Sequence, residues 1–262
     1  TRELSYEISI KIKKYLFNKG IDTILSSYPI PTPAVSFSVK NKGADLGIII
    51  TASHNSKIWN GIKIKNKYGQ SISESEASKL TKIIYKEKID MDEFNKFDLI
   101  DLKENDTTDL LPDYINSIKK IIDVNKIKNS KLSLIVDCMN GTSKSILEKI
   151  IGEGECKISE INNNNDSSFP GIKQPEPIEE NLSDLKLKVK ELNADAGFAF
   201  DADSDRVGVI DNKTNYIEAP FVFCIIADHV LGNKKINKNI STTVSMTSMI
   251  DAIAKKYNIN CF

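Results

Sequence analysis

One stretch decides the fold class of this 262-residue chain: residues 197–211, which read G-F-A-F-D-A-D-S-D-R-V-G-V-I-D. An apolar run passes into three aspartates at alternate positions, Asp201, Asp203 and Asp205, and a second apolar run follows Arg206. Short apolar runs that end in polar turns are typical of buried strands. In a straight strand the outer two aspartates would lie about 13 Å apart, so the chain must curl if all three bind one ion. We therefore expect a strand, an acidic loop and a second strand.

The pattern on either side of this stretch alternates strands with helices. Strands are expected at 132–137, 156–161, 196–200, 207–210 and 240–244, and helices at 142–151, 182–192, 219–231 and 247–257. This alternation predicts an α/β fold built from successive mixed-sheet domains with an active-site cleft between them. In such sheets ligands bind outside the carboxyl ends of the strands.

The N-terminal half has a looser pattern. We expect a helix that Gly20 closes, a short strand at 21–25, a buried parallel strand at 45–51, a hairpin at 61–72 and helices at 74–88 and after Pro112. Residues 89–111 are acidic, and their apolar residues follow neither helical nor strand spacing, which indicates a linker.

The acidic loop has the composition of a metal site. Carboxylate oxygens at close range suit a hard ion such as Mg²⁺. The guanidinium of Arg206 adds several N–H donors in a planar arrangement that matches phosphate oxygens. Two alternatives stay open: an exposed acidic turn, and a haloacid-dehalogenase-like phosphatase in which Asp201 is the nucleophile and Asp203 the acid. A calcium EF-hand is disfavoured, because Arg206 replaces the glycine that its loop needs.

A second constellation, T-A-S-H-N-S-K-I-W-N-G-I-K at 51–63, follows the apolar run at 45–51. The hydroxyl of Ser53 can attack phosphorus or carry a phosphate. His54 and Lys63 can move protons, and Asn55 and Asn60 can orient oxygens. The competing interpretation is a polar turn with local hydrogen bonds. A serine hydrolase is disfavoured, because no G-x-S-x-G elbow surrounds Ser53.

The composition of the chain indicates which classes of partner it disfavours. Lys+Arg and Asp+Glu both number 36, so no net charge favours nucleic acid or an anionic membrane. No apolar run reaches the ~18 residues of a membrane span. The four cysteines form no C-x-x-C pair, which favours reduced thiols and a cytoplasmic location. The oligomeric state stays open between monomer and dimer.

Taken in order, these segments resemble the α-D-phosphohexomutase superfamily, which includes phosphoglucomutases, phosphomannomutases and phosphoglucosamine mutases. The motifs that carry the resemblance are Thr1-Arg2, Pro31-Thr32-Pro33, the T-A-S-H-N loop with Asn60-Gly61-Ile62-Lys63, Phe169-Pro170-Gly171, Pro175-Glu176-Pro177, Glu180-Asn181-Leu182 and the loop from Asp201 to Arg206. Ser56 stands where the family usually has proline, and Gln174 where asparagine often precedes P-E-P. The F-P-G and P-E-P segments point towards an archaeal-type phosphomannomutase or phosphoglucosamine mutase.

The resemblance implies a chemistry. Ser53 would carry a phosphate, donate it to a hexose phosphate and regain one from the bisphosphate intermediate, with a sugar bisphosphate as activator. Ser53 and the three loop aspartates would hold Mg²⁺, and Arg206, Arg2, Asn55 and Asn60 would bind substrate or phosphate. Lys63 would be the general base with His54 assisting, and Mg²⁺ and Arg206 beside it would lower its pKa.

The resemblance also implies domains. We expect domain I over 1–112, domain II over 113–216 and the start of domain III over 217–262, in a chain cut at both ends. Motifs of the family's third and fourth domains, which recognise the sugar, are expected beyond residue 262. A non-catalytic phosphosugar-binding remnant is the further alternative.

Overall fold

The structure, a computed structural model, describes residues 2–86, 107–236 and 238–262. Its helices are α1 (Ser5–Asn18), α2 (Thr32–Lys42), α3 (Glu74–Lys86), α4 (Leu111–Lys119), α5 (Val124–Lys128), α6 (Ile146–Ile151), α7 (Ser183–Glu191), α8 (Ala219–Asp228) and α9 (Met249–Lys256). A 3₁₀ turn at Glu179–Asn181 and a π-helical turn at His229–Asn233 add to these. No helix in the described ranges is long and apolar enough to cross a membrane.

Nine strands form three sheets among the described residues. They are β1 (Leu25–Ser26), β2 (Leu46–Ile50), β3 (Ile62–Asn66), β4 (Thr107–Thr108), β5 (Ser133–Asp137), β6 (Lys157–Ile161), β7 (Ala196–Phe200), β8 (Val207–Asp211) and β9 (Tyr216–Ile217). The largest sheet has the order β6-β5-β7-β8-β9. Its first three strands pair in parallel and its last two pair antiparallel, so the expected mixed α/β sheet is confirmed.

Helices cover both faces of this sheet. Strand β5, which lies between β6 and β7, is buried almost throughout, because its side chains alternate between two cores. Leu134 packs with Ile115 of α4 and Ile150 of α6 on one face. Ile135 packs on the opposite face with α7, whose Leu185 and Val189 are fully buried. Packing on both faces fixes the carboxyl edge of the sheet, where the loops after β5 and β7 lie.

The two strands of the N-terminal part position the second constellation. β2 and β3 pair antiparallel, with Ile49 opposite Lys63 and Ile50 opposite Ile62. This pairing places the loop that follows β2 beside the start of β3. The expectation of a buried parallel strand at 45–51 was wrong, because β2 pairs with the returning hairpin strand and buries only alternate residues.

Other expectations need correction. Residues 21–25 do not form the expected strand; pairing is confined to Leu25–Ser26, which lies beside β4. Helix α6 begins only at Ile146, because residues 138–145 form a turn-rich loop. Residues 240–244 contribute a single bridge, Ile240 to Cys261, rather than a strand. Most of the expected linker at 89–111 lies outside the described residues.

Candidate active site

Ser53 lies in the loop after β2 in a strained backbone conformation. Its φ is 52°, in the left-handed region, which costs an L-residue about 1–2 kcal/mol. Its N–H donates to Thr51 Oγ1 at 2.9 Å. The Arg2 guanidinium donates to the carbonyls of Ser53 and Ser56 and stacks over the Phe169 ring. These contacts hold the Ser53 hydroxyl in one place.

The acidic loop turns tightly between β7 and β8. Asp201 Oδ1 accepts the N–H groups of Asp205 at 2.9 Å and Arg206 at 3.0 Å. Ser204 has a φ of 55°, which reverses the chain. As a result, one carboxylate oxygen from each of Asp201, Asp203 and Asp205 lies within 4.8 Å of the others. The curl required for a shared ion is therefore present.

The two loops meet directly. Ser53 Oγ donates to Asp201 Oδ2 at 3.0 Å. Thr32 and Thr51 donate their hydroxyls to Asp203 Oδ2 at 2.8 and 3.2 Å. Four of the groups that the sequence pointed to, Ser53 and the three aspartates, thus form one cluster.

Lys63 reaches this cluster from β3. Its Nζ lies 2.8 Å from Asp203 Oδ2 and 2.8 Å from Asp205 Oδ2. An ammonium between two carboxylates compensates part of the negative charge that the loop concentrates.

The charges shift one another's pKa values. Burial, reinforced by the negative charge of Asp203, raises the pKa of Asp201 to about 7. Burial alone would also raise the pKa of Asp203, but the hydrogen bond and charge of Lys63 outweigh it and lower that pKa. Burial would lower the pKa of Lys63, but its bonds to Asp203 and Asp205 raise it instead.

This arrangement corrects the expected position of Arg206. The resemblance implies Mg²⁺ and Arg206 beside Lys63, which together would lower its pKa. Arg206 instead donates from Nη1 to Glu176 Oε1 at 2.8 Å, so it lies against a different carboxylate. Without a bound ion, the two carboxylates beside Lys63 favour its charged form and raise its pKa.

The other sequence-predicted residues lie close by but differ in their contacts. His54 Nε2 is 3.8 Å from Glu176 Oε1, and its Nδ1 is buried without a hydrogen-bond partner in the described part of the chain. The Asn60 amide donates to the carbonyl of Glu3 and to Ser5 Oγ, so it ties the loop to α1. Asn55 is exposed at the rim.

Arg2 is buried rather than open to a ligand. Only 4% of its surface is exposed, and both of its terminal nitrogens already donate to loop carbonyls. Its Nε–H is also buried and has no acceptor among the described residues. In this structure Arg2 supports the Ser53 loop through its hydrogen bonds to the carbonyls of Ser53 and Ser56.

Several contacts were missed by sequence reasoning. The hydroxyls of Thr32 and Thr51 lie within motifs that we quoted, but their side chains had no assigned role. Glu176 lies within the P-E-P motif and also had none. Thr142 was part of a predicted helix; it lies in the loop after β5, where its N–H donates to Ala202 O at 3.0 Å and its Oγ1 lies 2.8 Å from Ser204 Oγ.

The residues present fit a divalent cation. Asp203 Oδ1 is buried and has no hydrogen-bond donor among the residues that the structure describes. An unpaired buried carboxylate oxygen is costly unless a cation or donor compensates it. Three carboxylates and one hydroxyl form a hard oxygen donor set of the kind that Mg²⁺ prefers.

The geometry does not favour Asp201 as a phosphatase nucleophile. The residue is fully buried, Oδ1 accepts two backbone N–H groups and Oδ2 accepts the Ser53 hydroxyl. Both oxygens are hydrogen-bond acceptors within the protein, and the residue has no exposed surface from which to reach a phosphorus atom.

Fold and site together define an α/β protein that gathers a serine hydroxyl, a lysine and three carboxylates where two loops meet. Two family models match the chain, with the descriptions phosphoglucomutase/phosphomannomutase, alpha/beta/alpha domain I over residues 1–90 and alpha/beta/alpha domain II over residues 112–214. Together they cover nearly three quarters of the chain. The chain belongs to the phosphoglucomutase/phosphomannomutase family of phosphohexomutases.

Curated relatives agree with this family. The chain is 33% identical to a phosphoglucomutase/phosphomannomutase of Thermococcus kodakarensis, over 86% of this chain and 48% of the relative. It is 32% identical to a phosphoglucosamine/phosphogalactosamine mutase of Sulfurisphaera tokodaii, over 87% of this chain and 50% of the relative. The chain thus spans about half the length of these relatives.

A solved structure shows the same fold. The crystal structure of a phosphomannomutase from Thermus thermophilus superposes with a TM-score of 0.85 at 24% identity, over 99% of this chain and 57% of that chain.

Proposed function

We propose that this chain is the phosphate-carrying and metal-binding part of a phosphosugar mutase, which interconverts hexose 1-phosphate and hexose 6-phosphate. One observation carries the proposal: Ser53 Oγ donates to Asp201 Oδ2 within a cluster of three carboxylates. A hydroxyl at the edge of a divalent-cation site is well placed to hold a transferable phosphate.

Asp201, Asp203 and Asp205 are the proposed ligands of Mg²⁺, with an oxygen on Ser53 as a fourth. When bound, the ion would neutralise charge that develops during phosphoryl transfer. The buried Asp203 Oδ1, which lacks a donor in the described chain, supports this assignment.

The chain's own residues have the following roles. Phosphorylated Ser53 gives its phosphoryl group to a hydroxyl of a sugar monophosphate, so the Oγ–P bond breaks as a new O–P bond forms. The hydroxyl's proton passes to the neutral amine of Lys63. Lys63 must therefore first leave Asp203 and Asp205, whose bonds raise its pKa, and lose its own proton to solvent. The reverse transfer from the reoriented bisphosphate restores phosphoserine.

The remaining proposed roles concern phosphate. The Arg206 side chain is 45% exposed, and among the described residues it donates from Nη1 alone, so its other N–H groups can bind phosphate oxygens. His54 assists the proton transfer, and Asn55 is exposed where substrate would enter. A sugar bisphosphate is the proposed activator, because it can phosphorylate an empty Ser53.

The substrate is a hexose phosphate or amino-hexose phosphate. The names of the relatives differ in the sugar, and this chain covers about half of each relative, so we propose the class rather than one sugar. The free cysteines, three of them buried, favour a reducing compartment such as the cytoplasm.

The test uses the natural full-length protein, incubated with glucose 1,6-bisphosphate and Mg²⁺ and then digested for peptide mass spectrometry. We expect phosphate on the Ser53 peptide of the wild type and of Ser56→Ala, but none in Ser53→Ala. Mutase turnover should follow the same order. Phosphate release that survives Ser53→Ala but not Asp201→Asn would instead support a phosphatase. If the protein bound Mg²⁺ but formed no phosphoserine and showed no turnover, the result would support a non-catalytic phosphosugar-binding protein.

A further inference from the structure

Glu176 lies between the two loops of the site, and none of the steps above uses it. Its Oε1 accepts from Arg206 Nη1 at 2.8 Å and lies 3.8 Å from His54 Nε2. The side chain is 23% exposed. One carboxylate oxygen thus faces a cationic group of the acidic loop and a titratable group of the Ser53 loop.

The backbone that carries Glu176 is fixed from several sides. Pro175 and Pro177 are buried, and each ring fixes its φ. Asn181 Nδ2 donates to the carbonyls of Gln174 at 3.2 Å and Glu176 at 2.9 Å.

Strand β8 approaches the same segment closely. A Cβ on Gly208 would lie 2.4 Å from the Pro177 carbonyl oxygen, so only glycine allows this approach. Tyr216 OH also donates to that oxygen at 3.3 Å. The Glu176 carboxylate therefore projects from a rigid support, unlike the long and half-exposed Arg206 side chain that it binds.

We propose that Glu176 is a positioning residue that holds the Arg206 guanidinium ready for phosphate. A free arginine side chain loses rotamer entropy when it is fixed. The bond from Nη1 to Glu176 fixes the guanidinium before phosphate arrives and leaves its remaining donors available. The inference rests on the proposed function, because it needs Arg206 to bind phosphate.

The acceptor and the charge of Glu176 can be separated by substitution. Glu176→Gln keeps an oxygen at the same reach but removes the charge. Glu176→Asp keeps the charge but shortens the side chain by one methylene. A positioning role depends on the length of the side chain, which sets how far its oxygen extends towards Arg206. The glutamine variant should therefore retain a lower KM than the aspartate variant.

The experiment measures the rate of Ser53 phosphorylation in the full-length protein against the concentration of glucose 1,6-bisphosphate. We expect Glu176→Ala and Glu176→Asp to raise KM about tenfold and Glu176→Gln about threefold, because interactions made equally in the ground and transition states appear in KM. Maximal rates should change less than KM in all three variants. Arg206→Ala and the double variant Glu176→Ala/Arg206→Ala should share one KM, because Glu176 acts through Arg206.

Four results would overturn the inference, and the last of them would overturn the proposed function as well. A KM in Glu176→Ala equal to that of the wild type would remove the role altogether. Better function in the aspartate than in the glutamine variant would assign the effect to charge. Additive effects of the two alanine substitutions would show that Glu176 does not act through Arg206. Absence of phosphate on Ser53 of the wild type would overturn the proposed function itself, and the inference with it.

Discussion

Asp137 at the end of β5 is a buried carboxyl outside the metal cluster. It is 1% exposed, and its Oδ1 accepts from Met139 N at 2.9 Å and Asn162 Nδ2 at 3.0 Å. Burial raises its pKa from 3.8 to about 6, although both hydrogen bonds oppose the rise. Its ionised form is therefore less favourable in the folded protein than in the unfolded chain.

The sign of the resulting pH dependence follows from linkage. Below the unfolded pKa the group is protonated in both states and costs nothing. As pH rises through about 4 to 6, the unfolded chain releases the proton first, so the free energy of unfolding falls. Asp137→Asn keeps an acceptor oxygen but cannot ionise. Relative to the wild type, it should gain up to about 3 kcal/mol between pH 4 and pH 7.

Urea unfolding with EDTA across this pH range measures the effect. Asp45→Asn, which replaces an exposed aspartate that does not contribute to the raised pKa of Asp137, is the control and should follow the wild type. A difference between Asp137→Asn and the wild type that stays constant with pH would contradict the prediction.

Single residues divide into those that the sequence could reveal and those that it could not. Ser53 and the three loop aspartates were predictable, because their chemistry is local to one short motif each. The roles of Glu176 and Thr142 were not, because they depend on which loops the fold brings together. The contact between Thr142 and Ser204, for example, joins the loops after β5 and β7, which are 62 positions apart in sequence.

At the scale of elements, the loop after β5 supports the acidic loop. A Cβ on Gly141 would lie 2.5 to 2.9 Å from three backbone atoms of Ala202, so the two backbones are in direct contact. Thr142 adds a backbone bond to Ala202 and a hydroxyl contact to Ser204. Because these bonds link neighbouring parallel strands, they hold the acidic loop at the sheet edge.

Thr142→Val tests this support. Valine keeps the shape but leaves the Ser204 hydroxyl without that partner, which should lower the free energy of unfolding by about 1–2 kcal/mol. We expect a several-fold weaker Mg²⁺ affinity by titration calorimetry, because the aspartates are less firmly held. Thr142→Ser retains the hydroxyl and should bind Mg²⁺ like the wild type. Equal affinities in the valine and serine variants would contradict the support role.

Helices and strands could be predicted from the sequence where the spacing of apolar residues was regular. Strands β5 to β8 were predicted to within a residue or two at either end, because each is a short apolar or alternating run between polar turns. Helix α2 (Thr32–Lys42) was missed, because two prolines at its start and a mixture of serine, valine and lysine hide its period. Pro33 in fact suits the first turn of a helix, where its missing N–H costs no bond.

For the molecule as a whole, the site joins two parts that the family models match separately. Thr32, Thr51 and Lys63 come from the part matched by domain I, and Asp203 and Asp205 from the part matched by domain II. The Lys63 ion pairs are partly buried, with side-chain exposures of 32% for Lys63 and 4% for Asp203. In the absence of Mg²⁺, this lysine is a cation in direct contact with the acidic loop and compensates part of its charge.

Replacing Lys63 should therefore make the thermal stability of the protein depend more strongly on Mg²⁺. Lys63→Met keeps most of the aliphatic stem but leaves the carboxylates uncompensated, so we expect a Tm about 3–5 °C lower in EDTA. Saturating MgCl₂ should raise the Tm of this variant more than that of the wild type, because the ion no longer competes with an ammonium and ligand binding stabilises the folded state.

Lys57→Met, which removes an exposed lysine from the loop before β3, is the control and should show the Mg²⁺ response of the wild type. If MgCl₂ raised the Tm of Lys63→Met and of the wild type equally, the ammonium and the ion would not share a site. A larger shift confined to Lys63→Met would place the ion where Asp203 and Asp205 now hold Lys63. It would also mean that cation binding releases the lysine, which the proposed proton transfer from the sugar hydroxyl requires.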